Sequence, residues 1–458
     1  MAEDTPPEGP KLGAGEATSK DGAPSLVENR PSEPDHLLKP TTAIALAIVV
    51  ALAGVGVAVV LYLPSPGGGP SDLVEIKIGV ILSQTGQLGH DGALMVEGAK
   101  LKEKQVRAAG GFDFAGKKAV VRLIVEDDGT DVTKGRLAAE KLVNVDGVQA
   151  IVGDTGSSVC LAIDTFTSAK KVPTVSPSCT SPVLSVRPWL FRTVGSDIFQ
   201  GKAMVDTAVA MKQAGLVGNK TIVFSVNNAY GKGITEVIEK RASEKGMEII
   251  FKDLFLENQP DYDAQAAAMK QAKDAMAPGE NVAVLYTSYP EDAVTFFGTA
   301  GKLGMLPANG YFWMGNDGIA NSDVFVTASG INGYIQGLYA TNPASRPGDA
   351  AFAAFEDAFR KEYGHGPTAY SATAYDAVGV VIAALKRAGV YDGEKIKAGL
   401  DSLTGPLAYQ GVSGVKDFDE NGDIRSQYYR ILKVSGQEFV PTSGWWEDPD
   451  AGVRDFSP

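Results

Sequence analysis

Histidine is nearly missing from this chain: His36, His90 and His365 are the only three among 458 residues. Cysteine is scarcer still, with Cys160 and Cys179 alone. These residues do not cluster, so the sequence offers no zinc-ligand set, and no metal or other cofactor is expected. A Ser-His-Asp mechanism would have to recruit His90 or His365, and neither lies in a recognisable motif. Positive charge is short as well: 42 Lys and Arg stand against 55 Asp and Glu, a formal net charge of -13. No basic run carries interleaved aromatics. That argues against nucleic acid, whose binding needs a basic face to displace counterions. The acidity reads as solubility. What remains is ordinary globular material, 44% hydrophobic and 21% charged, with length for large cores.

The first 40 residues are rich in Pro, Glu, Gly and Ser and nearly free of large apolar groups before Leu37. Such a segment cannot bury enough surface to fold. Then comes "TTAIALAIVVALAGVGVAVVLYL", 41–63, with no charge; at about 23 residues it matches a membrane-spanning helix. A secretory signal has a short cationic start and a small-residue cleavage site. Here the leading segment is long and acidic and no clear cleavage site follows, so a retained single-pass anchor is expected over a cleaved signal. No cysteine follows the apolar run to carry a lipid. Basic residues before the run, Lys39 among them, outnumber those just after it, which favours a cytoplasmic N-terminus. Residues 64–74, with "PSPGGGPSD", read as a flexible linker.

Beyond the linker, strand-like and helix-like patterns alternate. Strands are expected at 76–82, 119–127, 148–154, 172–178 and 190–195, then at 221–227, 248–255, 281–288 and 311–317. Helices are expected at 92–109, 133–145, 198–214, 231–246 and 290–303. This is the pattern of α/β architecture: two similar halves, each a doubly wound parallel sheet. Such sheets bind ligands beyond the carboxyl ends of their strands. The strand ends here, such as "GDTGSS", "SPSCT", "NNAYGKG" and "GNDGIA", are polar, Gly-rich and short of catalytic bases. Two facing sheets would gather them around one cleft.

Ala150–Ile163, "AIVGDTGSSVCLAI", reads as strand, turn, helix. No Lys follows Gly156, so the phosphate-loop pattern fails. Ser158 and Val159 follow Ser157, so the nucleophile-elbow pattern fails. Two readings remain: a helix mouth that attracts an anion, with Ser157 adding a hydroxyl, or a plain serine cap. "VPTVSPSCTSP" presents Ser178, Cys179 and Thr180 on a proline-bracketed loop. The alternative there is a stiffened turn. "WMGNDGIA" puts Asp317 at a strand end, an acceptor suited to an ammonium group or a helix cap.

These segments carry a resemblance. "IKIGVILSQTGQLGHDG", "AAGGFDFAGKKAVVRLIVEDDGTD", "IVGDTGSSV", "VPTVSPSCTSP", "LFRTVGSD", "NNAYGKG", "SYPED", "MGNDGI", "TAYDAV" and "FDENGD" occur in order from Ile76 to about Val440. The run resembles the Leu/Ile/Val-type substrate-binding proteins of ABC transporters, within the type 1 periplasmic binding proteins. The resemblance implies two lobes joined by three crossings near 195, 340 and 411. Lobe 1 would hold 75–195 and 341–410, and lobe 2 would hold 196–340 and 411–458. By position, Ser157 and Thr180 would hold a ligand carboxylate. The carbonyl of Ser178 and the carboxylate of Asp317 would hold its ammonium, with Cys179 beside them on the loop. Tyr230 would lie against the ligand from the second lobe. Asp91 stands where branched-chain binders often carry an aromatic residue, and Ser288 takes a position that can be aromatic, with Tyr289 next to it. A polar wall there admits a polar amino acid or an amide; alternatively Asp91 faces solvent.

The expected function is therefore an extracytoplasmic solute-binding protein, not an enzyme. It would take an amino-acid-like zwitterion and deliver it to an ABC permease, tethered to the membrane by its N-terminal helix. The alternatives are a membrane-tethered sensor reporting to a signalling partner and a hydrolase using Ser157. Three further features stay open in the sequence. "DFDENGD" at 417–423 resembles the start of a calcium loop but has Tyr428 at its twelfth position, and a turn is the better reading. Cys160 and Cys179 either pair or remain two buried thiols. Trp445 and Trp446 either pack the tail onto the body or form an exposed patch.

Overall fold

The computed structural model describes residues 73–458 apart from Asn321 and Asp448. The acidic tail 1–40, the apolar run 41–63 and nearly all of the linker lie outside the described residues. Among the described residues, no helix is long and apolar enough to cross a membrane.

Two sheets organise the chain. The first holds β1 (Val74–Ile81), β2 (Phe112–Phe114), β3 (Lys117–Glu126), β4 (Ile151–Gly153), β5 (Thr174–Ser176) and β6 (Leu190–Arg192), in the order β2-β3-β1-β4-β5-β6. The second holds β7 (Lys220–Val226), β8 (Glu248–Phe255), β9 (Val282–Thr287), β10 (Tyr311–Gly315) and β11 (Tyr339–Pro343). After a separate hairpin of β12 (Tyr409–Gly411) and β13 (Gly414–Lys416), β14 (Tyr429–Ser435) and β15 (Glu438–Trp446) complete that sheet, ordered β15-β14-β11-β10-β9-β7-β8. Helices α1 (Gly89–Ala108), α2 (Val132–Asn144), α3 (Ser157–Ala169), α4 (Asp197–Gln213), α5 (Ala229–Glu244), α6 (Asp263–Asp274) and α7 (Pro290–Lys302) separate the strands.

The expectation of purely parallel sheets is corrected. Both sheets are mixed: β2 runs antiparallel to β3, and β14 runs antiparallel to β11 and β15. Connection length accounts for the β2–β3 and β14–β15 pairings, since a two-residue turn joins only antiparallel neighbours. Ala115 and Gly116, both at positive φ (50° and 77°), form one such turn.

The local sequence explains the helix starts. Asp131, Ser196 and Asn228 each accept a backbone N–H of the following turn, at α2, α4 and α5. Each such cap contributes about 1 kcal/mol. The first core packs Ile76, Ile78 and Val80 of β1 against Met95, Val96 and Ala99 of α1 and the long helix Ala369–Ala388. The second is aromatic: Phe224, Tyr286, Phe296 and Trp313 pack within it, the Phe224–Phe296 rings 4.8 Å apart. Trp446 is buried in the body and donates its indole N–H to Asp206 (2.9 Å), so this part of the tail is packed down.

Asp376 of the long helix accepts the N–H groups of Val412 and Ser413 (2.9 and 2.8 Å), which grips the β12–β13 hairpin to the first lobe. Phe418 and Ile424 lie in the first core, with Phe418 5.3 Å from the Phe191 ring. The chain re-enters the second sheet only at Tyr429.

Candidate functional site

The carboxyl ends of six strands converge between the sheets, where α/β folds place ligands. Leu88 and Asp91 follow β1, Thr155 and Ser157 follow β4, and Ser178 and Thr180 follow β5. From the other sheet come Tyr230 after β7, Tyr289 after β9, and Asp317 and Gly318 after β10. With Tyr370 of the long helix they line a cavity of about 30 Å³. A larger cavity of about 420 Å³ lies among Pro343, Phe352, Ala372 and Leu432, but none of these strand-end residues reaches it.

One side of the small cavity is rich in donors. Gly156 is the N-cap of α3, and no side chain among the described residues caps that helix. The serine-cap reading is thereby excluded, and the first-turn N–H groups and the helix dipole are left for an anion. Asp154 shapes the turn by accepting Gly156 N–H (2.8 Å). The Ser157 hydroxyl accepts Ser181 N–H (3.3 Å), so its own proton can be donated elsewhere. Arg192 fixes the facing loop. Its guanidinium is fully buried and donates to the carbonyls of Thr180 (2.8 Å) and Ser181 (2.9 Å). Asp423 accepts from Arg192 Nε (2.7 Å). The "FDENGD" segment is thus a turn, in which Asp419 accepts two backbone N–H groups while Asp423 anchors Arg192. A disulfide joins Cys160 of α3 to Cys179 and staples the two donor-bearing segments together. Closing a loop of this length contributes about 3 kcal/mol.

The opposite side holds one gripped carboxylate. Asp317 accepts the Tyr230 hydroxyl at 2.7 Å and the Tyr370 hydroxyl on its other oxygen. Burial pushes its pKa up, and the two phenols pull it back toward the ionised form. Burial, then the Asp317 charge, raise neighbouring Asp197 well above the carboxylate range. Gly318 is required by space: a Cβ there would sit 2.4 Å from the Ser288 carbonyl and 3.0 Å from the Tyr230 hydroxyl. Tyr230 stacks on Tyr289, centroids 5.7 Å apart. The lobes touch around this cavity, where the Ser158 hydroxyl accepts Ala229 N–H (3.3 Å) and the Ser181 hydroxyl donates to the Ala229 carbonyl (2.7 Å).

Of the residues singled out from sequence, Ser157, Ser178, Thr180, Tyr230, Asp317, Asp91 and Tyr289 line this one cavity. Two do not. Cys179 is fully buried in an apolar cluster with Leu184 and Leu190, its sulfur bonded to Cys160. Ser288 points away, and its hydroxyl donates to the Tyr289 carbonyl (3.1 Å); the next residue takes the wall position instead. Asp91 does not face solvent: it is 6 % exposed, and its pKa is pushed up to about 7, by burial first and then by the charges of Asp323 and Asp317. Sequence reasoning missed Leu88, Thr155, Gly318 and Tyr370. Thr155 and Gly318 lie within the polar strand ends "GDTGSS" and "GNDGIA". Tyr370 has no local signal, since only the packing of its helix brings it to Asp317.

The family described as periplasmic binding protein matches residues 75–438. A leucine-, isoleucine-, valine-, threonine- and alanine-binding protein of Pseudomonas aeruginosa is 27% identical over 361 residues, 78% of this chain and 89% of the relative. Among solved structures, the leucine-binding protein LivK of Thermotoga maritima aligns with a TM-score of 0.69 at 26% identity, covering 82% of this chain and 99% of that one. The branched-chain amino acid transporter protein LivJ of Streptococcus pneumoniae, in complex with isoleucine, aligns at 0.67 and 25% identity, covering 80% and 100%.

Proposed function

We propose a function from one premise: this chain belongs to the periplasmic binding protein family. It is an extracytoplasmic solute-binding protein that captures an amino acid between two lobes for uptake by an ABC transporter. The named relatives are binding proteins, and this chain is read as a receptor, not an enzyme. In the finer reading, the apolar run 41–63 is a single-pass anchor that tethers the receptor outside the cytoplasm beside its permease.

The polar cavity is the seat. An amino acid carries opposite charges on one carbon, and it needs a donor-rich helix mouth a few ångströms from a fixed carboxylate. Ser157, Thr180 and the first turn of α3 take the ligand carboxylate. Asp317, held by Tyr230 and Tyr370, takes the ammonium with the Ser178 carbonyl. Leu88, Tyr289 and Asp91 meet the side chain. The observation that carries this reading is the convergence of an uncapped helix start and a twice-gripped carboxylate on one cavity. Charged hydrogen bonds here contribute about 1.5–3 kcal/mol each, and the helix dipole adds about 0.3–1.

The test is a thermal-shift screen of the purified full-length chain against the common amino acids and small amides. At least one amino acid is expected to raise the midpoint, because a ligand of the folded form stabilises it. A flat response to every amino acid would overturn the reading. Ser157→Ala is expected to weaken the best ligand only about tenfold in calorimetry, since the helix N–H groups remain. Unchanged affinity would remove Ser157 from the carboxylate seat.

A further inference from the structure

We infer that the ligand's side chain carries an N–H or O–H donor, and that Asp91 is the residue that selects it. The inference rests on the amino-acid reading above and goes beyond it by naming the side-chain class. It starts from a charge count inside the cavity. Of the lining residues only Asp91 and Asp317 carry charge, and both are negative. Asp317 already accepts two phenols and takes the ligand ammonium. The α3 start takes the carboxylate. Asp91 is left over, buried, with its Oδ1 lacking any hydrogen-bond partner among the described residues.

An acidic residue in a helix first turn is ordinary when it faces water, where it complements the dipole. Asp263, Glu291 and Glu394 do so at the starts of their helices, all exposed. Asp91 also lies in the first turn of its helix but turns inward, one turn after Leu88, and shares the cavity wall with Leu88 and Tyr289. The like charges of Asp317 and Asp323 add to the cost of burying it. A hydrocarbon side chain against Asp91 would keep water and donors away from that oxygen and leave the carboxylate buried without a partner. A hydroxyl, amide or ammonium would satisfy it. Sites built to pair with a substrate donor reject the isostere that lacks it far more strongly than apolar pockets reject an extra group.

Two isosteric pairs make the test. Threonine and valine, then asparagine and leucine, are titrated calorimetrically into the full-length chain at mildly alkaline pH, with wild type and Asp91→Leu. Threonine is expected to bind at least about tenfold tighter than valine, and asparagine than leucine. In the Asp91→Leu protein both preferences should vanish or reverse. If valine and leucine match or beat their polar partners in the wild type, the inference falls while the amino-acid reading stands. A polar preference that survives in Asp91→Leu overturns the assignment to Asp91. If none of the four binds and the wider screen is also flat, the amino-acid reading falls and takes this inference with it.

Discussion

Asp317→Asn should weaken amino-acid binding at least a hundredfold. No cation among the described residues lines this cavity, so the carboxylate can pair with a ligand ammonium, and Tyr230 and Tyr370 hold it in place. Asparagine keeps the shape: its amide oxygen accepts from one phenol and its NH2 donates to the oxygen of the other. The ligand ammonium loses its counter-charge inside a buried site. Removing one partner of a buried charged pair costs about 3–5 kcal/mol, because the other charge stays buried and uncompensated. Even the lower figure exceeds a hundredfold in the dissociation constant. Domain closure cannot offset this, since closure is what excludes water from the ammonium. Calorimetry with the best ligand from the screen is the measurement. The unliganded melting point is the control. Asp317 is pushed up by burial, so losing its charge should not unfold the protein. A variant that melts normally and binds within threefold of wild type would take Asp317 out of the ammonium seat.

The two halves of the site differ in how far the sequence revealed them. The strand ends were visible because β-alternation stops where small polar residues begin. Ser157, Thr180, Tyr230 and Asp317 all sit within a few residues of such stops, and the structure brings them to one cavity. Adjacent residues could not be sorted the same way. Ser288 and Tyr289 follow the same strand, and only Tyr289 reaches the cavity wall, where it stacks on Tyr230. Cys179 lies between two wall residues, yet the apolar cluster around Leu184 draws its side chain out of the wall. Nothing near Tyr370 in the sequence suggests Asp317, because a contact across 53 positions is set by the packing of a whole helix. The mixed character of the sheets depended on short turns such as Ala115-Gly116, whose local conformation decides strand direction. The place of Phe418 in the first core, too, is set by tertiary contacts, with Asp376 gripping the nearby hairpin.

Asp91→Asn should stabilise the unliganded protein above neutral pH while impairing its selectivity, and the pH dependence identifies the cause. An aspartate ordinarily titrates near 3.8; in the folded chain Asp91 is pushed up to about 7. Between those two values the folded state holds a proton that the unfolded chain has released. Stability therefore falls as pH rises through this window, and the full cost is present above about 7. A shift of that size corresponds to about 4 kcal/mol. Asparagine is close to isosteric and carries no charge, so it removes the cost without opening a cavity. At pH near 4 the two proteins should melt alike; at pH near 8 the variant should melt several degrees higher. Parallel melting curves across that range would mean that Asp91 is not charged against its surroundings in the unliganded state. A group that destabilises the unliganded fold is retained when the ligand supplies the partner it lacks, so a donor-bearing ligand should narrow the gap between wild type and variant at pH near 8. That narrowing separates a selecting residue from a buried defect, because a defect would leave the gap unchanged whichever amino acid is bound.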